Sequence, residues 1–103
     1  MEIKNLTFEP NKMNGGISAN FELGEVRYFA DLCVLPYYGS ECMIFRVENG
    51  KVNWHDLYCV RGIPVTEAQL RKCIEDFAEN GSNEGEDEIE RAADAIADLK
   101  EML

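Results

Sequence analysis

The feature that most constrains this chain is the dipeptide Asn49-Gly50. It sits between two runs rich in branched and aromatic residues in the stretch ECMIFRVENGKVNWHDLYCV, Glu41 to Val60. Both central residues of a type I′ turn need positive φ, which Asn and Gly tolerate best, so the stretch reads as a β-hairpin. Upstream, Ile17, Ala19, Phe21 and Leu23 alternate with Ser18, Asn20 and Glu22, the period of a half-buried strand. Gly24-Glu25 suits a two-residue type II′ turn, which wants Gly first. Val26, Tyr28, Ala30, Leu32 and Val34 then share one face of the next strand. Ile3 to Glu9 reads as an opening strand with Leu6 and Phe8 on one face, and PNKMNGG (10–16) as a loop.

The turns can be tested against one another. A turn at Gly24-Glu25 pairs Leu23 with Val26, Phe21 with Tyr28, Ala19 with Ala30 and Glu22 with Arg27. A four-residue loop at Pro36-Tyr37-Tyr38-Gly39 pairs Leu32 with Met43, Ala30 with Phe45 and Tyr28 with Val47. The Asn49-Gly50 turn pairs Val47 with Val52, Phe45 with Trp54 and Glu48 with Lys51. Together they place Phe21, Tyr28, Phe45 and Trp54 on one face, and a one-residue slip at any turn would flip a whole strand. The one polar residue on that face is Asp56, where a bulge is expected. The other face then carries Asn20, Phe29, Arg46 and Asn53 in one row. Ser18, Asp31, Ile44 and His55 form the next, followed by Cys33, Cys42 and Leu57.

After Gly62-Ile63-Pro64 the period becomes helical. Thr66 and Gln69 have capping-box spacing, Leu70, Cys73, Ile74 and Phe77 make one apolar stripe, and Gly81 is a natural stop. From Glu86 to the C-terminus, Ile89, Ala92, Ala93, Ile96, Leu99 and Leu103 make a second stripe. The expected fold is α+β: a five-stranded antiparallel meander in the order 1-2-3-4-5, with two C-terminal helices packed on the Phe21 face. It forms a single domain over 1–103, with the meander in 1–63 and the helical layer in 64–103.

Charge narrows the function. The net charge is −10, which disfavours direct binding to nucleic acid or to an anionic membrane. The acid is uneven: 1–63 holds eight acidic and six basic residues, 64–103 twelve and four. Asp87, Glu90, Asp94, Asp98 and Glu101 recur at intervals of three and four, which on a helix makes a carboxylate ladder. A basic, nucleic-acid-binding groove could accept such a ladder in place of phosphates, although a solvated helix face has the same composition. MEIKNLTFEP has no apolar h-region and no apolar run reaches transmembrane length, so a cytoplasmic protein with reduced cysteines is expected.

No motif fixes a chemistry. Ser18, Asp31 and His55 share a row, but Ile44 would hold Asp31 and His55 two strands apart, roughly 9–10 Å, too far for a triad. No enzyme and no cofactor is expected. Cys33, Cys42, Cys59 and His55 lie close together in the same register, with Cys33 directly opposite Cys42. The residue types suit zinc or a cross-strand disulfide, yet no C-x-x-C spacing occurs and free Cys commonly serves as a small apolar residue. Cys73 belongs to the core stripe, and Gly15-Gly16 precedes a strand, unlike a phosphate loop. Phe29 beside Arg46, with Ile44 and Leu57 near, is a candidate contact patch. Tyr37 and Tyr38 give the adjoining loop the composition of a binding hot spot.

The residues therefore point to a small acidic protein-binding module that blocks a basic, nucleic-acid-handling protein. Small acidic proteins of phages and mobile elements that disarm nucleases or CRISPR effectors share this format, though no motif. The partner-binding candidates are Tyr37, Tyr38, Phe29, Arg46, Asp87, Glu90, Asp94, Asp98 and Glu101. A homo-oligomer, with a homodimer as its simplest form, and a metal or small-ligand protein using the cysteine–histidine face are the alternatives.

Overall fold

The computed structural model describes residues 2–12, 15–36 and 39–82. Five strands, β1 (Ile3–Asn11), β2 (Gly16–Leu23), β3 (Val26–Leu35), β4 (Gly39–Glu48) and β5 (Lys51–Arg61), form one antiparallel sheet in the order β1-β2-β3-β4-β5. One helix, α1 (Glu67–Asn80), follows and packs on the sheet. The expected second helix lies outside the described residues. No described helix is long and apolar enough to cross a membrane.

Local chemistry sets most of these elements. Asn49 and Gly50 take φ 53° and 75°, the double positive of a type I′ turn. Gly24 takes φ 61°, and β2 pairs with β3 in the expected register, Phe21 opposite Tyr28 and Glu22 opposite Arg27. Thr66 caps α1 by accepting a 3.1 Å bond from the Gln69 N–H, and the Gly81 N–H closes the far end on the Phe77 carbonyl at 2.8 Å.

The β3–β4 connection departs from expectation. Leu35 pairs with Gly39, so the loop is three residues long, and Leu32 lies opposite Cys42, Ala30 opposite Ile44 and Tyr28 opposite Arg46. Gly39 takes φ 82°, a conformation that closes a three-residue hairpin and that a side chain would resist. The shift of one residue turns β4 over. Cys42 and Ile44 now face α1 and are fully buried, while Phe45 points to the opposite side.

β5 compensates with bulges. Val47 and Glu48 keep their expected partners Val52 and Lys51, and Arg46 pairs with Asn53. The ladder then jumps, pairing Phe45 with Asp56 and Ile44 with Tyr58. The register with β4 skips three residues of β5, Trp54, His55 and Leu57, which form the bulges. An odd number of extra residues restores alternation, so Tyr58 and Val60 join Ile44 and Cys42 beneath α1. The one-residue shift at the β3–β4 loop takes Trp54 and Asp56 off the helix-covered face, and the bulge then sets Tyr58, in place of His55, opposite Ile44 against the core.

The core is thus built from Ala19, Phe21, Leu23, Ala30, Leu32, Cys42, Ile44 and Tyr58 of the sheet against Leu70, Cys73, Ile74 and Phe77 of α1. Phe77 is its centre, meeting Phe21, Tyr28 and Tyr58 edge-on at 6.3, 5.0 and 6.1 Å. Leu6 and Phe8, read as sharing one face, both pack against this core, and the Arg71 guanidinium lies 5.2 Å over the Phe8 ring. The loop read at 10–16 is shorter than expected, because β1 runs on through Asn11 and β2 begins at Gly16.

Candidate functional site: an aromatic ridge on the sheet face opposite α1

Alternation along the observed register puts Thr7, Asn20, Phe29, Phe45 and Asp56 in one row on the face away from α1. The next row holds Glu9, Ser18, Asp31, Met43 and Cys59. Cys33, Glu41 and Arg61 follow. Among the described residues no element packs over this face.

Three aromatic rings meet there. Phe29 and Phe45 stack with centroids 6.5 Å apart, and Trp54 stands edge-on to both, 5.2 Å from Phe45 and 6.4 Å from Phe29. Phe45 is only 4% exposed, yet it belongs to no part of the α1 core, whereas Trp54 is 71% exposed. The β5 bulge produces this geometry by freeing Trp54 from the ladder beside Phe45. Asn53, Trp54, His55 and Asp56 are all exposed, and the Asn53 side chain accepts the His55 N–H at 3.2 Å, which shapes the bulge locally. Asp56, the ladder partner of Phe45, closes the bulge two residues beyond Trp54 and is exposed.

The rest of the face is polar and mostly self-satisfied. The Glu22 carboxylate takes hydrogen bonds from Asn5 at 3.1 Å and Arg27 at 3.3 Å. Both line a shallow groove of about 350 Å³ with Thr7, Asn20 and Val47. Asp31 accepts from Asn11 at 3.1 Å, and burial still holds its carboxyl above the ordinary carboxylate range. Glu41 gathers Arg61 at 3.3 Å and the Cys59 thiol at 3.1 Å, and burial together with that carboxylate pushes the thiol up to about 12. Such a thiol is a poor nucleophile and a reluctant metal ligand at neutral pH.

Several expected neighbours are not neighbours. Phe29 lies opposite Phe45, not Arg46, and Arg46 sits in the other row set between Tyr28 and Asn53, with Glu48 at 3.4 Å. Cys33 and Cys42 point to opposite faces: Cys33 pairs with Glu41, and Cys42 is hydrogen-bonded to Cys73 inside the core, where this bond and burial raise its pKa. All four cysteines are free thiols, and no three His, Cys, Asp or Glu side chains among the described residues are placed to share a metal ion. Asp31 lies across from Met43 rather than Ile44, and the Ser18 hydroxyl is turned to the Glu9 carbonyl. Leu57 packs toward the core instead of joining Phe29. Tyr37, Tyr38, Asp87, Glu90, Asp94, Asp98 and Glu101 lie outside the described residues.

The ridge residues that sequence reasoning misplaced are Phe45 and Trp54, which the four-residue loop had put beneath the helix. The available signal was the company Trp54 keeps: Asn53, His55 and Asp56 are poor residues for a strand buried on either face. No family model, no curated protein and no solved structure matches this chain.

Proposed function

We propose that the chain is a non-catalytic protein-binding module for a basic partner, of the kind that would occupy and block a nucleic-acid-handling protein. The observation that carries this reading is Trp54, 71% exposed and propped on Phe45 and Phe29. A large aromatic side chain held in place but left in water loses little conformational entropy on binding and has much surface to bury, the profile of an interface anchor. The net charge of −10 supplies the sign of the partner. The carboxylates Asp87, Glu90, Asp94, Asp98 and Glu101 would extend the acidic surface along the partner's phosphate-binding groove.

Affinity capture from host lysate with the full chain, at low and at high salt, tests this. The expected result is retention of basic nucleic-acid-binding proteins at low salt and their release at about 1 M salt, where the screening length falls to roughly 3 Å. Trp54→Ala should reduce that retention, and reversing charge at Asp94 and Asp98 should reduce it further. Capture that both variants leave unchanged would overturn the reading. Recovery of the protein's own chain alone, with concentration-dependent size, would establish a homo-oligomer meeting through the ridge instead.

A further inference from the structure

We infer that the Asn53–Asp56 bulge is a receptor for an arginine side chain of the partner, the guanidinium lying on the Trp54 indole and pairing with the Asp56 carboxylate. This rests on the basic-partner reading above and gives it a residue-level site.

Three observations converge on it. First, Trp54 and Asp56 are both exposed and both neighbour Phe45: the indole meets its ring at 5.2 Å, and Asp56 is its ladder partner two residues along the same bulge. In the proposed pose a cation would meet an aromatic surface and a negative charge together. Second, the four described arginines are engaged elsewhere. Arg27 is held by Glu22 at 3.3 Å, Arg46 by Glu48 at 3.4 Å and Arg61 by Glu41 at 3.3 Å, and Arg71 lies over Phe8. Third, the alternatives fit less well. A purely apolar partner surface would strip water from Asp56 without compensating it. An anionic ligand would be repelled by a chain of net charge −10.

Arginine suits the site better than lysine for a geometric reason. Guanidinium is flat and weakly hydrated, so it can stack on the indole while its N–H fork addresses a carboxylate at its edge. An ammonium is a compact, strongly hydrated point charge and forgoes part of one contact to make the other. Selection between two peptides of equal charge therefore reports on this site and not on the chain's overall field.

The probes are nona-arginine and nona-lysine, titrated into the full chain at low salt. Calorimetry gives the affinities, and the emission of Trp54, the chain's one tryptophan, gives occupancy of the ridge. The expected result is that nona-arginine binds about two- to five-fold more tightly than nona-lysine, and that Trp54 emission saturates at the calorimetric midpoint. In Trp54→Ala, and separately in Asp56→Asn, that preference should vanish while charge-driven binding of both peptides persists. Both side chains are exposed, so these variants should keep the wild-type circular dichroism. Asp94→Lys with Asp98→Lys should weaken both peptides alike and preserve the preference. Equal affinities in the wild-type chain, or a preference that survives both ridge variants, would overturn the inference and leave the basic-partner reading standing. If neither peptide bound at low salt, both would fail.

Discussion

Phe77 and Trp54 show how far two aromatic residues of one small chain can differ in what they do. Phe77 is 5% exposed and touches three other rings, so truncating it removes apolar burial and leaves a void at the α1–sheet junction. We expect Phe77→Ala to cost about 3–5 kcal/mol, a large part of the roughly 5–15 kcal/mol available to a domain. Trp54→Ala removes only ring-edge contacts and should cost about 1 kcal/mol. Urea denaturation of the two variants checks the contrast, and similar losses would contradict it. Asp31 adds a pH dependence. Its carboxyl is held above the ordinary 3.8 by burial, an effect that the Asn11 hydrogen bond only partly offsets. The folded chain therefore binds this proton more readily than the unfolded chain. Stability from this group falls as pH rises from that ordinary value through the folded-state pKa, and it stays lost above it. Asp31→Asn should melt higher than wild type at about pH 7 and converge with it in acid. A variant no more stable at neutral pH would refute the assignment.

The elements divide by how local their instructions are. The Asn49-Gly50 turn, the Gly24-Glu25 turn with the β2–β3 register, and the Thr66–Gln69 cap could all be read from neighbouring residues, because each depends on a few dihedrals and one or two hydrogen bonds. The β3–β4 hairpin could not. Pro36 to Gly39 is compatible with a loop of three or four residues, and the choice between them is made by burying Cys42 and Ile44 under α1, contacts that alternation alone does not reveal. The β5 bulges follow from that choice, since without an odd insertion Tyr58 would leave the core. The ridge was illegible for the same reason: its rings belong to strands whose faces depend on a distant helix. Two substitutions test the local devices. Gly39→Ala meets no atom within 4 Å but must keep φ near 82°, so it should cost about 1–2 kcal/mol through backbone strain alone. Thr66→Ala should cost about 1 kcal/mol by orphaning the Gln69 N–H. A Gly39→Ala protein of wild-type stability would mean that the loop closes differently.

At the scale of the whole molecule, both edges of the sheet are interrupted. β1 carries a bulge between Lys4 and Thr7, with Asn5 at φ 54°, and β5 carries the bulges that free Trp54. Broken edges discourage strand addition from another chain, so the proposed partner would be better served by the side chains of the face opposite α1 than by a sixth strand. The described sheet then has two different sides, a core beneath α1 that makes the fold and, opposite it, a ridge over which no described element packs and which the proposed reading assigns to contact. The measurement that tests this division most directly is collisional quenching of Trp54 by acrylamide in the full chain. Acrylamide is neutral, so the charge of −10 neither attracts nor repels it. We expect water-like emission and quenching close to that of free tryptophan in solution, because Trp54 stands on the face away from α1. Blue-shifted emission protected from quenching would place Trp54 in the core and contradict the register on which the site is built.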